Sequence, residues 1–328
     1  MDVLVQPFNR VIQVAPGANL LESLREAQVP MSYSCLSGRC GICRCRILDG
    51  EVLDSGREQQ RPLDGMDGSV LACQTYITEP CTIEVPEPDE AVVHQARIVK
   101  ARVVAIEPLA QDSRRLLLEP AKPVAFSPGQ YMQVEFAPGL SRPYSMAGLA
   151  SDPMLEFHIR ILNAGRASSY IDKQLRIGDM VKVSGPLGAA YLRQLHVGPM
   201  LCAAGGTGLA PILSVLRGAI AAGMHNPIHL YLGLRSPREL YGMEWLEQLR
   251  REHPALQIHV IVASGADLAT QRPGLVPQAI MQDHASLSGW RAYLCGSPPM
   301  VEATMVMLRS KGIGAVHIHA DAFYTQER

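Results

Sequence analysis

From residue 198 onward the chain alternates apolar runs with amphipathic stretches. The runs MLCAA, IHLYLGL, IHVIVAS, RAYLCG and VHIHA are separated by segments such as WLEQLRREH and MVEATMVMLRSKG. Strands that are apolar at consecutive positions are covered on both faces, so a parallel sheet with helices on both sides is predicted, an α/β domain over 198–328. Between residues 95 and 197 the period changes to two. In GQYMQVEF, Met132, Val134 and Phe136 alternate with Gln133 and Glu135, and in MLEFHIRIL, Leu155, Phe157, Ile159 and Ile161 alternate with Glu156, His158 and Arg160. Short half-buried strands punctuated by Pro and Gly predict an antiparallel β-barrel. Residues 1–90 predict a small α+β unit of β-grasp-like build. A strand pair runs through Val3, Val5, Val11 and Val14, and Asn19 opens a helix with Leu20, Leu21, Leu24 and Ala27 on one face. Glu22, three residues past Asn19, completes a capping-box pattern. The proline- and acid-rich stretch Val85–Gln95 has no periodicity and is predicted to be a linker. The fold class expected is multidomain: three domains of different class in series.

Composition narrows the function classes. The 328 residues carry 30 Lys and Arg against 31 Asp and Glu, a net charge of -1. Coating a nucleic acid or a membrane surface needs an excess of positive charge, so neither is an expected partner. The stretch Met200–Met224 is apolar enough to suggest a membrane span, but it contains Gly205, Gly206, Gly208, Pro211 and Arg217. It reads as a buried strand, loop and helix. The N-terminus lacks a basic region followed by an apolar run and a small-residue cleavage site, and a cytoplasmic protein is expected.

Cysteine spacing carries the first chemistry. Cys35, Cys40 and Cys43 lie on the tight loop SCLSGRCGIC, and Cys73 follows in SVLACQT. The arrangement C-x4-C-x2-C with a distant fourth cysteine is the spacing of a plant-type two-iron, two-sulfur site. Three thiolates on one loop wrap the irons, while Gly38 and Gly41 let backbone N–H groups approach the sulfurs. A structural zinc site pairs C-x2-C with a second short pair, which is missing here. Cys45, two residues past Cys43, is an alternative ligand or a small buried residue. Cys81, Cys202 and Cys295 have no metal-like spacing, and the alternation of His317 and His319 in VHIHA fits sheet packing better than metal binding.

Two glycine-bearing loops carry the second chemistry. The segment AAGGTGLAPIL places Gly205, Gly206, Thr207 and Gly208 between an apolar strand and a helix, where backbone N–H groups and the helix dipole can receive a pyrophosphate. Pro211 stands where the third glycine of G-x-G-x-x-G would be, so the ordinary dinucleotide fingerprint is not met. The barrel region carries RPYSMAG, in which Arg142, Tyr144 and Ser145 match the R-x-Y-S motif of the ferredoxin–NADP reductase superfamily. The glycine loop and CGSPPM (residues 295–300) match that superfamily's two nicotinamide motifs. With the cysteine loop at the N-terminus, the whole chain resembles the reductase components of multicomponent aromatic-ring dioxygenases, most strongly the naphthalene dioxygenase type. SYSCLSGRCG, RPYSMAGL, SGPLG, GPMLC and HADAFY carry the likeness across all three domains.

The resemblance implies noncovalent FAD, hydride from NADH or NADPH, and electrons leaving through the protein's own cluster to a separate Rieske-type ferredoxin that serves a terminal aromatic dioxygenase. It implies that Tyr144 lies against the flavin ring, Ser145 bonds near its N5 and Arg142 pairs with the FAD pyrophosphate. Gly165, Arg166 and Ser168 in NAGRASSY would form a second pyrophosphate-binding stretch. Cys295 would border the hydride path, with Phe323 covering the flavin, although Tyr324 beside it offers the same chemistry. Electron counting agrees: nicotinamide delivers two electrons and a cluster accepts one, so a flavin must stand between them. A monomer is expected. Two alternatives stay open, a reductase that feeds its oxygenase directly and a redox-sensing module. NADH-specific sites place an acid at the end of the second strand. Here IHLYLGL runs into Arg235-Ser236-Pro237-Arg238, so use of NADH with tolerance of NADPH is predicted, Arg235 meeting the extra phosphate.

Overall fold

The computed structural model describes residues 1–29, 31, 33, 38, 43–55, 68–85, 94–162 and 165–324, and these divide into two compact units, Met1–Val93 and His94–Arg328. Cys35, Cys40, Gly41 and most of the expected Val85–Gln95 linker lie outside the described residues.

The first unit contains β1 (Asp2–Gln6), β2 (Arg10–Gln13), α1 (Leu20–Glu26), β3 (Arg44–Asp49), β4 (Val52–Asp54), β5 (Ser69–Leu71), β6 (Thr75–Ile77) and β7 (Cys81–Glu84). Its main sheet has the order β2-β1-β7-β3-β5, with β1 and β7 parallel, while β4 and β6 form a separate pair. The Asn19 side chain accepts a hydrogen bond from the Glu22 backbone N–H at 3.2 Å, capping α1 as the sequence predicts. Leu20, Leu21 and Leu24 then enter the core beside Val3, Val5 and Ile83. Val11 does not join them. It is 55% exposed, and its neighbour Ile12 takes the buried place because β2 pairs with β1 in the register Val3↔Ile12.

The second unit holds two sheets. The first comprises β8 (Arg97–Ala110), β9 (Ser113–Pro120), β10 (Tyr131–Ala137), β11 (Leu140–Ser145), β12 (Leu155–Arg160) and β13 (Met180–Leu187), with α2 (Arg166–Lys173) at one side. The order β11-β10-β13-β8-β9-β12 is antiparallel throughout, and a bridge from Met146, just past β11, to Phe157 within β12 brings the two outer strands together and closes the barrel. On β10, Met132, Val134 and Phe136 face the core, as their alternation predicts. On β12 the prediction of a wet face fails: Glu156 and His158 are as buried as Leu155, Phe157 and Ile159. The second half of the unit packs over that face, and a period-two pattern does not report a cover that comes from distant sequence.

The second sheet comprises β14 (Met200–Gly205), β15 (Ile228–Leu234), β16 (Leu256–Val262), β17 (Arg272–Pro273), β18 (Arg291–Gly296) and β19 (Ile318–Ala322), ordered β17-β16-β15-β14-β18-β19 and parallel throughout. Its connections carry α3 (Leu209–Ala221), α4 (Met243–Glu252), α5 (Val276–Asp283) and α6 (Pro298–Ser310). Met200–Met224 is indeed a strand, a turn and the buried helix α3, and among the described residues no helix is long and apolar enough to cross a membrane.

Candidate functional site

Strand β11 ends on Tyr144 and Ser145, held in register opposite Met132 and Tyr131 of β10. The Tyr144 ring meets Phe136 edge-on at 6.0 Å, and burial pushes its hydroxyl well above the ordinary tyrosine value, the Arg142 charge opposing this. The Arg142 guanidinium donates to the Ser141 carbonyl at 2.7 Å through Nη1. Ser145 Oγ donates to Asp321 Oδ2 at 2.8 Å. Asp321 comes from β19, and burial raises its carboxyl to about 6 against the lowering effect of that hydrogen bond.

The second group predicted from the sequence opens α2. Gly165 is its N-cap, Arg166 its first residue, and Ser168 Oγ accepts from Leu162 N (3.1 Å) while donating to the Gly165 carbonyl (3.2 Å). A side chain at Gly165 would crowd Ser168 Oγ, so a larger residue there would displace the serine from its bonds at the helix start. The first N–H groups of a helix have no intrahelical acceptor and are suited to an anion.

Gly205 ends β14, and Gly206–Gly208 form a single turn before α3. Gly206 has φ +55° and open space where a Cβ would be, with Arg160 Nη1 nearest at 3.9 Å. Gly208 is pressed on the opposite side, since a Cβ there would lie 2.3 Å from the Cys295 carbonyl oxygen. The turn therefore backs onto the end of β18, where Cys295 pairs with Ala204. The Cys295 thiol is buried and held well above the ordinary cysteine value by burial and then by the Asp321 charge. Phe323 N donates to the Gly296 carbonyl at 2.8 Å, whereas Tyr324 reaches the Glu302 carboxylate of α6 at 2.9 Å. The aromatic with its backbone tied to the Cys295–Gly296 loop is thus Phe323. Ser145, Asp321, Cys295 and Phe323 form one neighbourhood, because β19 lies beside β18 with Asp321 opposite Cys295.

At the end of β15, the expectation that no acid stands by Arg235 is corrected. Glu239, in the turn Pro237–Glu239, accepts from Arg235 N at 3.0 Å and pairs with the Arg235 guanidinium. Arg160 Nη2 also reaches Glu239 at 2.9 Å, and its Nε reaches Asp112 at 3.0 Å. The turn folds the acid back four residues, which a search of the strand's last positions does not see. Asp321 was missed as well; its only signal is an acid interrupting the apolar alternation of HIHADAF.

In the first unit, Cys43 and Cys73 are buried, and the Asn19 amide donates to the Cys73 carbonyl at 3.0 Å, tying that residue to the start of α1. Gly38 has φ +77°, and a Cβ there would fall 2.8 Å from the Gln74 side chain. Cys45 is a β3 residue paired with Val70 inside the sheet.

These donor sets fit the groups that the sequence implies. An aromatic ring, a hydroxyl, a guanidinium and a helix N-terminus suit a flavin dinucleotide. An open glycine turn suits a nicotinamide dinucleotide, and the buried thiols of Cys43 and Cys73 suit an iron–sulfur cluster. Comparison with known proteins agrees. Residues 3–78 match the 2Fe-2S iron-sulfur cluster binding domain, 100–191 the oxidoreductase FAD-binding domain and 202–305 the oxidoreductase NAD-binding domain. The protein is therefore an NAD(P)H-dependent iron–sulfur flavoprotein oxidoreductase of the ferredoxin–NADP reductase superfamily.

The reductase component of the naphthalene 1,2-dioxygenase system of Pseudomonas putida is 54% identical over 99% of both chains. That of the naphthalene 1,2-dioxygenase/salicylate 5-hydroxylase systems of a Ralstonia species is 53% identical over the same share. The crystal structure of a cytochrome P450 reductase of Amycolatopsis superposes with a TM-score of 0.78 at 32% identity, covering 98% of both chains. The chain belongs to the family of naphthalene dioxygenase-type reductase components.

Proposed function

We propose that this protein takes hydride from NADH, tolerates NADPH, and passes electrons one at a time through its own cluster to a separate Rieske-type ferredoxin that serves an aromatic-ring dioxygenase. The observation that carries this reading is identity above one half, over the full length of the chain, with a relative named for that role. The protein works as a monomer in the cytoplasm, with domains at 1–90, 95–197 and 198–328.

FAD, when bound, accepts a pair of electrons and releases them singly. The chain's own residues bind and orient it. Arg142 neutralises pyrophosphate charge, the α2 N-terminus with Gly165, Arg166 and Ser168 supplies further N–H donors, and Tyr144 backs the ring. The turn Gly205–Gly208 admits the nicotinamide dinucleotide's pyrophosphate, Arg235 meets its ribose end, and Phe323 covers the nicotinamide entrance. Cys295 walls the pocket, while Ser145 and Asp321 hold a proton at its edge. Asp321, which burial raises to about 6, can take and return that proton at a smaller free-energy cost than an ordinary carboxylate. Cys35, Cys40, Cys43 and Cys73 hold the cluster.

A second reading, direct delivery to an oxygenase, is favoured by the likeness to a protein named as a cytochrome P450 reductase. The two separate in one experiment, NADH-driven reduction of purified Rieske ferredoxins and terminal oxygenases, each with and without the intermediate carrier. Fast reduction of a Rieske ferredoxin, with oxygenase reduction dependent on it, supports the first reading. Oxygenase reduction at an equal rate without the carrier overturns it.

A further inference from the structure

Glu156 and His158 are polar residues on the barrel strand β12, and both are buried. Arg115 of β9 grips both oxygens of Glu156, Nε to Oε1 and Nη2 to Oε2, each at 3.0 Å, and Arg217 of α3 stands 3.6 Å from Oε2. His158 Nε2 lies 3.0 Å from Oε1. Burial alone would raise the Glu156 carboxyl, but the hydrogen bonds from His158 and Arg115 overcome it and hold the group at about 2. Glu156 is therefore ionised and can only accept, so Nε2 carries the proton and donates. Burial outweighs the attraction of Glu156 and, with the Arg217 and Arg115 charges, holds His158 below its ordinary value, leaving the ring neutral. Its Nδ1 is then an acceptor, and the Tyr241 hydroxyl 3.0 Å away must be the donor. The order of protons is fixed along the series Tyr241, His158, Glu156. Trp245 of α4 stacks on the imidazole at 5.7 Å and limits its rotation.

The two ends of this relay reach the two walls of the site. Tyr241 is buried in the same apolar core as Cys295, and the two are bridged by the glycine turn: Gly242, next to Tyr241, lies against Leu209, and Gly208, next to Leu209, backs onto the Cys295 carbonyl. At the other end the Glu156 carbonyl accepts from Ala147 N at 2.9 Å, two residues past Ser145. Arg217, which flanks the Glu156 carboxylate, donates to the Ala147 carbonyl at 3.1 Å, and Ser214 of the same helix donates to the Gly148 carbonyl at 2.7 Å. Glu156 is thus joined through its backbone, and through Arg217, to the strand end that presents Tyr144 and Ser145, and through its carboxylate and His158 to Tyr241 in the core that holds Cys295.

We propose that Glu156, His158 and Tyr241 are positioning residues for hydride transfer, the relay holding the Cys295 wall of the nicotinamide pocket in register with the Tyr144–Ser145 wall. This rests on the roles assigned to those walls above. Hydride transfer demands close, aligned approach, and a small misplacement lowers its rate without preventing binding. The three relay residues are buried and none of them is among the groups assigned above to a dinucleotide, so their loss is expected to fall on the rate and not on the affinity.

The test is anaerobic stopped-flow bleaching of the flavin by NADH in the holoprotein, for wild type, Tyr241→Phe, His158→Gln and the double variant. Each single variant is expected to lose roughly tenfold in limiting rate, the scale of one hydrogen bond's free energy. FAD content and the NADH dissociation constant stay within about twofold of wild type, and the isotope effect with NADH deuterated at the transferred position rises. Because the residues act as one unit, the double variant loses no more than the worse single variant. Unchanged limiting rates, multiplying losses in the double variant, or a loss confined to NADH affinity would each overturn the proposal. Wild-type protein that holds FAD yet is not bleached by NADH would overturn the functional reading itself, an outcome visible before any variant is compared.

Discussion

Ser145 on β11 and Asp321 on β19, 176 residues apart in sequence, are joined by a hydrogen bond of 2.8 Å from the serine hydroxyl to Oδ2. The bond links the flavin motif to the last strand of the parallel sheet and gives the site a titratable group. Burial raises Asp321 from its ordinary 3.8 to about 6, so between those values the folded protein holds a proton that the unfolded chain has released. Stability contributed by the neutral form is present below about pH 4 and is lost as pH rises to about 6. Asp321→Asn keeps an acceptor for Ser145 without the charge. The variant is expected to melt higher than wild type above about pH 7, with the difference vanishing near pH 4. It should also lose any inflection near pH 6 in the limiting rate of NADH-driven ferricyanide reduction. An equal shift in melting temperature at both ends of the range would assign the effect to packing.

The cluster ligands are tested by comparing two cysteines. Cys73 follows β5 in a short turn whose carbonyl is tied to Asn19, whereas Cys45 sits within the β3–β5 ladder opposite Val70. Cys73→Ser is expected to abolish the electron paramagnetic resonance signal of the reduced cluster while NADH still bleaches the flavin. Cys45→Ser should retain the signal. Loss of the signal in Cys45→Ser but not in Cys43→Ser would put Cys45 in the place of Cys43.

How much of this was legible beforehand depended on whether the signal was local. The cluster spacing, R-x-Y-S and the glycine turn each lie within a few residues, and the Asn19 cap needs only Glu22, so the sequence displays them directly. Glu156 and His158 follow the period of a half-wet strand, and only the cover contributed by Tyr241, Trp245 and Arg217, some 60 to 90 residues later, makes them interior. Asp321 and Glu239 were hidden for the same reason: the first acquires its partner across the whole second unit, the second through a turn that folds it back onto Arg235.

The Arg235–Glu239 pair changes what is expected of the nicotinamide donor. The Arg235 side chain is 71% exposed, and Glu239, mostly buried, also takes Arg160. An acid that accepts from ribose hydroxyls favours NADH, and a guanidinium that can swing from that acid to a 2′-phosphate admits NADPH. Arg235→Ala should cost NADPH about tenfold or more in kcat/KM, the scale of one charged hydrogen bond, and NADH much less. Glu239→Gln should narrow the preference for NADH. Equal losses for both donors in Arg235→Ala would show that the residue does not read the phosphate.

The face of the parallel sheet beneath α5 carries a cluster that the redox chemistry does not use. His229 meets His284 at 5.0 Å and Trp290 at 5.1 Å, while His259 stacks on Tyr231 at 4.5 Å. Tyr231 donates to Asp283, which Arg272 grips through both carboxylate oxygens at 2.7 and 2.8 Å. Asp283, held by that guanidinium, still pulls the three imidazoles upward, but burial outweighs it. Burial, then the His284 and His259 charges, depress His229 to about 4, and burial likewise lowers His259 and His284. A histidine with a depressed folded pKa binds its proton in the unfolded chain first. Stability is therefore full above about pH 6.5 and is lost as pH falls towards about 4. His229→Phe preserves the ring contacts and cannot charge. The variant is expected to resist acid, its melting temperature falling less than that of wild type between about pH 6.5 and 4, with the two proteins alike near pH 8. Parallel curves for the two proteins across the whole range would show that His229 does not set the acid limit of this domain.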